Sequence, residues 1–347
     1  MLKVVDIAEH AGVSLSTVSR VLNDQDGVSP RTRQRVLDAV RELEALEAER
    51  RLHGEAVEET ASEPEIETLS VLTLHPAGVT KPEVFNGLLK GIRYGAEAFN
   101  VQLTLSTNVQ SLDKVFYDLY FADPALRPDS VIMLFASRFG RAIQQVQNLG
   151  LPVVMVGEPR SSLPFADAPA NANLVLAPDG AATGYDATEY LVNQGHNAIA
   201  FLGRQTPLTW QLLEGYRQAL IFYDIMPRDD RVLLAGVDDE PFRPAELFIE
   251  QRPPATAVLF DSADVAEYAL PRLREAGYVI PQGLKVLVLE DAVSMRRATP
   301  ALTAMAWPYF EQGHWAVRLL LELHQEQRQT GGELRFKARL VERESHV

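Results

Sequence analysis

Tyr190-Leu191-Val192-Asn193-Gln194-Gly195-His196-Asn197-Ala198-Ile199-Ala200-Phe201-Leu202 closes one helix-period segment, 179–194, and opens a short apolar run, 198–202. The same alternation recurs along most of the chain. Apolar runs fall at 69–75, 101–106, 130–135, 152–156 and 172–177, and again at 198–202, 231–235, 256–260 and 284–289. Helix-period segments at 84–99, 179–194, 208–223 and 263–276 lie between them. Such alternation predicts parallel sheet wrapped by helices. Nine strands are many for one mononucleotide-type sheet, so two doubly wound lobes are expected. Leu88-Leu89-Lys90-Gly91-Ile92-Arg93 echoes Leu212-Leu213-Glu214-Gly215-Tyr216-Arg217, each on the helix after the first strand of its lobe. Any amphipathic helix with one small packing residue would share that echo. A last helix over 309–327 and a final strand near 334–341 are expected to return to the lobes.

The 347 residues carry 33 Lys and Arg against 47 Asp and Glu, a formal charge of −14. On charge alone that disfavours nucleic acid as a partner. The excess is not evenly spread. Residues 1–53 are close to neutral, whereas residues 54–68 contain six glutamates and neither Lys nor Arg, which reads as a solvated linker. The absence of cysteine excludes disulfides, thiolate metal sites and cysteine catalysis. Met1-Leu2-Lys3-Val4-Val5-Asp6 reaches charge before a signal-peptide apolar run. No 18-residue apolar stretch follows, so a cytoplasmic location is expected.

The first fifty residues read as three short helices. Ile7, Ala8 and Ala11 share a face, Gly12 supplies the turn, and Ser14 caps a second helix striped by Val18, Val21 and Leu22. Ser29-Pro30 starts a third helix that buries Val36, Leu37, Val40 and Leu43. This is a helix-turn-helix pattern. Its second helix is slim and rich in hydroxyls, and Arg20 has the reach to grip a guanine edge in a major groove. An ordinary three-helix cap would show the same periodicity.

The stretch Val5-Asp6-Ile7-Ala8-Glu9-His10-Ala11-Gly12-Val13-Ser14-Leu15-Ser16-Thr17-Val18-Ser19-Arg20-Val21-Leu22-Asn23, followed by Val28-Ser29-Pro30-Arg31-Thr32-Arg33, closely resembles the headpiece of the lactose-repressor/galactose-repressor family. The resemblance continues through Asp179-Gly180, the Gly195-His196 segment, Pro254-Ala255-Thr256 and Pro300-Ala301-Leu302-Thr303. It implies a DNA-binding transcriptional regulator, most often a repressor. It also implies a core like periplasmic sugar-binding proteins and a homodimer on a pseudo-palindromic operator, modulated by a small molecule. Leu15, Ser16 and Arg20 then lie where the family reads bases. Ser14, Thr17, Ser19 and Asn23 lie where it contacts phosphates or braces the recognition helix.

Two regions depart from the family pattern. The family ends helix three at a Gly/Asn-Tyr-x-Pro-Asn stop and inserts a hinge leucine into the minor groove. This chain has neither Gly nor Pro between Pro30 and Gly54, so helix three is predicted to run to about residue 52. With a register shift of two, Leu52 takes the intercalating position; otherwise it is a leucine on an exposed helix. In the effector pocket, the family's Asp after the fourth strand becomes Gly157-Glu158, its Arg becomes Leu212, its Asn-Asp becomes Ser262-Ala263, and its Gly-Phe-Asp-Asp becomes Val288-Leu289-Glu290-Asp291. An apolar group opposite a sugar hydroxyl leaves it unpaired at about 1–3 kcal/mol, which argues against an ordinary sugar mode. Arg138, Glu158, Arg160, Arg204, Gln205, Trp210, Asp261 and Glu290 are the candidate effector contacts. The alternatives are a vestigial pocket or a solute-binding protein with a non-functional headpiece.

Phosphate-loop, dinucleotide and nucleophile-elbow motifs are absent, and the seven histidines show no metal spacing. No enzyme, cofactor, metal or membrane partner is expected. The predicted division is a headpiece over 1–53 with a divergent hinge at about 44–53, then a linker over 54–68. The N-terminal lobe takes 69–176 plus about 293–325, and the C-terminal lobe 177–292 plus about 328–347.

Overall fold

The computed structural model describes residues 70–76, 82–109, 123, 127–139, 150–162, 174–326 and 332–346, together with residues 10, 11, 13, 21, 32, 33, 35, 36, 38 and 39 near the N-terminus. The chain divides into two units, Met1–Glu67 and Thr68–Val347.

In the first unit, Ala11, Val21, Val36 and Ala39 are buried. They are one residue from each helix of the predicted pattern plus Ala39, which the sequence reading had passed over. The Arg35 guanidinium donates to the Ala11 carbonyl at 2.8 Å, tying the third helix to the first. The helix boundary near residue 52 lies outside the described residues.

The second unit holds two sheets of six strands. The first contains β1 (Ser70–Pro76), β2 (Gln102–Val109), β3 (Ser130–Leu134), β4 (Val153–Val156), β5 (Leu174–Pro178) and β11 (Gly332–Phe336). Its order is β11-β5-β4-β3-β1-β2, and every pairing is parallel. The second contains β6 (Ile199–Arg204), β7 (Val232–Ala235), β8 (Ala257–Phe260), β9 (Lys285–Val288), β10 (Thr303–Ala306) and β12 (Arg339–Val341). Its order is β12-β10-β9-β8-β6-β7, with only β12 antiparallel. Helices α1 (Pro82–Ala98), α2 (Gly180–Asn193), α3 (Pro207–Phe222), α4 (Arg243–Gln251), α5 (Ala263–Glu275), α6 (Val293–Arg297) and α7 (Tyr309–Glu326) complete the two layers.

Period-two burial explains why these strands are apolar throughout. In the second lobe Ala200, Leu202, Val258, Phe260, Val286 and Val288 pack on Phe248, Leu270 and Leu273. Their sequence neighbours Ile199, Phe201, Leu259 and Leu287 pack on the opposite face, against Leu191, Leu213 and Tyr216. Each fully buried aliphatic side chain contributes about 1.5–3 kcal/mol.

The lobe boundaries differ from the sequence expectation. The chain passes between lobes three times: after β5, after β10 and after β11. Residues 293–325 therefore do not form one piece of the first lobe. Helix α6 and strand β10 belong to the second lobe, and only α7 returns, to pack beside α1. The final apolar run is also two strands, β11 in the first sheet and β12 in the second. A tie fixes that split. Asp179 N–H donates to the Phe336 carbonyl (2.8 Å), Lys337 pairs with Asp186 (2.5 Å), and Ala338 N–H donates to Thr183 Oγ1 (3.3 Å).

In each lobe the helix arriving from the other lobe crosses a resident helix at reciprocal glycines. A Cβ on Gly91 of α1 would overlap the Phe310 carbonyl of α7, and one on Gly313 would overlap the Leu88 carbonyl. Gly215 of α3 meets the Ala181 carbonyl of α2, and Gly184 meets the Leu212 carbonyl, in the same way. The echoed Gly91 and Gly215 motifs thus mark equivalent helix crossings.

Candidate functional site

The strands leave their carboxyl ends toward the opposite lobe, so side chains on the following loops meet in a cleft. One cavity of about 110 Å³ lies there. It is lined by Arg204, Thr206, Leu208, Thr209, Leu212, Asp261, Ser262, Glu290, Trp307 and Tyr309. A second, of about 220 Å³, reaches from Glu83 and Val84 at the start of α1 to Ala263, Asp264, Glu267, Glu290 and Asp291 across the cleft. Three of the sequence candidates, Arg204, Asp261 and Glu290, therefore line the first cavity.

Local chemistry explains how they are held. Asp261 is 7% exposed. Its Oδ2 accepts Arg204 N–H at 2.9 Å and the Thr209 hydroxyl at 2.8 Å, and its Oδ1 accepts the Ser262 hydroxyl at 2.9 Å. A side chain at Gly203 would stand 2.6 Å from this carboxylate, so the close approach needs glycine. Thr206 and Ser262 cap α3 and α5, with Pro207 opening α3.

Glu290 and Glu158 occupy equivalent places in the two lobes. Each lies two residues past a central strand and bonds just beyond the neighbouring strand, Glu290 at the start of α5 and Glu158 in the 3-10 turn Ala136–Phe139. Glu290 Oε2 accepts Ala263 N–H at 3.0 Å. Glu158 accepts Ser137 N–H at 2.9 Å and the Ser137 hydroxyl at 2.6 Å. Negative charge at a helix N-terminus is favourable, so both carboxylates serve the backbone around them. Arg204 reaches Asp264 only at 4.0 Å. Arg160 N–H donates to Glu333 at 3.0 Å. Gln205 is exposed, and Trp210, 49% exposed on α3, does not line the cavity. Arg138 sits in the short 3-10 turn Ala136–Phe139, and its side chain lies outside the described residues.

The sequence reading missed Thr206, Thr209, Trp307 and Tyr309. Trp307 and Tyr309 ride on the crossover after β10, a strand hidden by its short Thr-Ala-Met-Ala composition. The Trp307 indole donates to the Leu289 carbonyl at 3.0 Å. The Tyr309 phenol is held well above its usual pKa, first by burial and then by the Glu290 charge, so it stays a neutral donor. Among the described residues no group of three His, Asp or Glu is placed to hold a metal ion, and no helix is long and apolar enough to cross a membrane.

Ser14, Leu15, Ser16, Thr17, Ser19, Arg20, Asn23 and Leu52 all lie outside the described residues.

A helical N-terminal unit followed by a two-lobed core of the periplasmic-binding-protein kind defines a class: DNA-binding transcriptional regulators. Residues 3–44 match the model for bacterial regulatory proteins of the lacI family, and residues 188–346 match a periplasmic binding protein-like domain. The transcriptional repressor CytR of Escherichia coli (strain K12) is 29% identical, over 98% of this chain and 95% of its own. Catabolite control protein A of Priestia megaterium is 24% identical, over 91% of each. Among solved structures, a CelR–cellobiose complex aligns with a TM-score of 0.64 at 22% identity, covering 99% of this chain and 100% of that one. The lac repressor dimer bound to operator and the anti-inducer ONPF aligns at 0.61 and 20%, covering 100% and 99%. Residues 3–44 thus carry a lacI-family DNA-binding domain and the C-terminal part a periplasmic-binding-protein-like domain, and the relatives named above are transcriptional regulators rather than enzymes.

Proposed function

We propose that this protein is a cytoplasmic repressor that binds a pseudo-palindromic operator as a homodimer and is modulated by a small molecule in the inter-lobe cleft. In this reading Leu15, Ser16 and Arg20 read bases, Ser14, Thr17, Ser19 and Asn23 contact phosphates or brace the recognition helix, and Leu52 either enters the minor groove or lies on an exposed helix. The lacI-family match over residues 3–44 carries the DNA-binding part. The cleft between the two lobes supports modulation by a small molecule, which would be linked reciprocally to DNA binding.

The bonding within the cleft narrows the effector. Glu158, Asp261 and Glu290 already accept hydrogen bonds from this chain's own backbone and hydroxyls. The cavity beside Tyr309 is also smaller than the roughly 300–1,000 Å³ of usual ligand pockets. Both points favour a ligand bound otherwise than by paired carboxylates.

Fluorescence anisotropy on the DNA upstream of the protein's own gene tests the reading. Binding is expected to be steep in salt and to depend on dimer. Arg20→Ala is expected to lose about 1–3 kcal/mol of discrimination against random DNA. Equal affinity of both proteins for operator and random DNA would overturn it.

A further inference from the structure

A groove of about 430 Å³ lies on the second lobe, between α5 and α6, and is roomier than either cleft cavity. Its α5 wall is Glu267, Leu270, Pro271 and Arg274. That spacing, i, i+3, i+4 and i+7, is one continuous face of a helix. Val293 and Met295 of α6 supply apolar surface opposite.

Charge runs along this face in one direction. The first turn of α5 is acidic through Asp264, and the last turn is basic through Arg272 and Arg274. Glu267 is exposed and has no hydrogen-bond or ion-pair partner among the described residues. Arg274 is exposed too. It donates to the Thr299 carbonyl, and among the described residues no carboxylate pairs with it.

A face that is acidic at one end and basic at the other is complementary to itself when reversed. Glu267 and Arg274 stand about 10.5 Å apart along the helix, at equal distances from its Leu270–Pro271 midpoint. A two-fold axis through that midpoint brings Glu267 level with the partner's Arg274, and Arg274 level with the partner's Glu267. Two-fold interfaces are built from such reciprocal pairs. Tyr268, 51% exposed beside Glu267, adds aromatic surface of the kind interfaces bury.

The groove also shares a wall with the cleft. Glu267 and Ser294 line both the groove and the 220 Å³ cleft cavity that reaches Glu83 and Val84 of α1. The other carboxylates on the second lobe's side of that cavity are engaged. Glu290 accepts Ala263 N–H, Asp291 pairs with Arg296 and Arg343, and Asp264 lies 4.0 Å from Arg204. Glu267 is therefore the carboxylate that can turn to either side.

We propose that the α5–α6 groove seats the same groove of a second copy, with Glu267 against the partner's Arg274, and that Glu267 makes this contact respond to the cleft. A positive charge in the cleft cavity draws Glu267 inward and loosens the pair. The inference rests on the homodimer reading, and adds to it a contact face and a route from cleft to assembly.

Sedimentation velocity on the full-length protein, over a concentration series without DNA, tests it. Glu267→Arg and Arg274→Glu should each raise the dimer dissociation constant at least about tenfold, because each sets like charges opposite one another at two symmetry-related places. The double variant restores opposite charges in reversed order and should return to within about threefold of wild type. That rescue is a result that a merely unfolded single variant would not give. Glu83→Arg brings a cation into the cleft cavity from the first lobe without touching the groove, and should weaken association about fivefold, against less than about twofold for Glu83→Gln. A wild-type dimer indifferent to both reversals, or a double variant no better than the singles, overturns the contact. It leaves the groove to another occupant while the homodimer reading stands. A wild type that is monomeric throughout overturns that reading and the inference with it. Association unchanged by Glu83→Arg, where the reversals do act, overturns the link to the cleft.

Discussion

At the crossing of α1 with α7, Gly91 and Gly313 bring two backbones together; at the crossing of α3 with α2, Gly215 and Gly184 do the same. Glu158 and Glu290 also correspond, each accepting a backbone N–H just beyond the neighbouring strand of its own lobe. Between these likenesses stand two differences. Asp261, which anchors the loop at Arg204, has Phe135 as its counterpart, with a backbone φ of 52°. Thr183, satisfied from within, has the unsatisfied Gln312. The shared features hold each lobe together. Of the unshared ones, Asp261 lines the cleft cavity.

The crossings allow the hardest test of this parallel. Gly91→Ala and Gly215→Ala should each cost about 3 kcal/mol, because backbone rather than a flexible side chain must yield. Gly332→Ala, whose Cβ meets nothing within 4 Å, should stay within about 0.5 kcal/mol. Urea midpoints at unchanged slope measure all three. Tolerance of alanine in one lobe alone would break the equivalence.

The paired glutamates come next. Glu290 is 7% exposed, so Glu290→Ala strands a helix-terminal N–H away from water and should cost about 2–3 kcal/mol. Glu158 is half-buried, water can replace it, and Glu158→Ala should cost about 1 kcal/mol. The same denaturation series decides. A reversed order would mean that burial does not set the difference.

The smallest effect is on pH. His314 in the first lobe and His196 in the second both titrate below the usual imidazole range, through burial first and then the cations Arg318 and Lys285. A lowered folded pKa means that the unfolded chain binds more protons in acid. Stability is therefore full above about pH 6.5 and declines as pH falls through that value toward the folded pKa. His314→Gln and His196→Gln should each flatten part of that shallow slope. A steeper slope in either variant would contradict the assignment.

Much of this architecture was legible from hydropathy alone. All nine apolar runs became strands, because parallel strands buried on both faces are apolar throughout. Helix α4 was missed because Pro241 and Pro244 read as a turn, and β10 because four residues with two alanines carry little strand signal. The split of the final run into β11 and β12 was hidden because both halves look alike in composition and only long-range pairing tells them apart. Candidate cleft residues were legible as charged groups after strands. Their bonding was not: a carboxylate facing a ligand and one holding a helix start have the same sequence.

The order in which the chain is made gives the triple passage a further meaning. Domains fold as units while synthesis proceeds from the N-terminus. The first sheet begins at Ser70, yet its edge strand β11 ends only at Phe336, and α7, which covers its core, ends at Glu326. Nearly the whole second lobe emerges from the ribosome in between. The lobe that starts first must therefore wait with an open edge and a bare apolar face until its neighbour has been built. Translation pauses or chaperone binding over residues 180–306 should matter more for this protein than its modest size suggests.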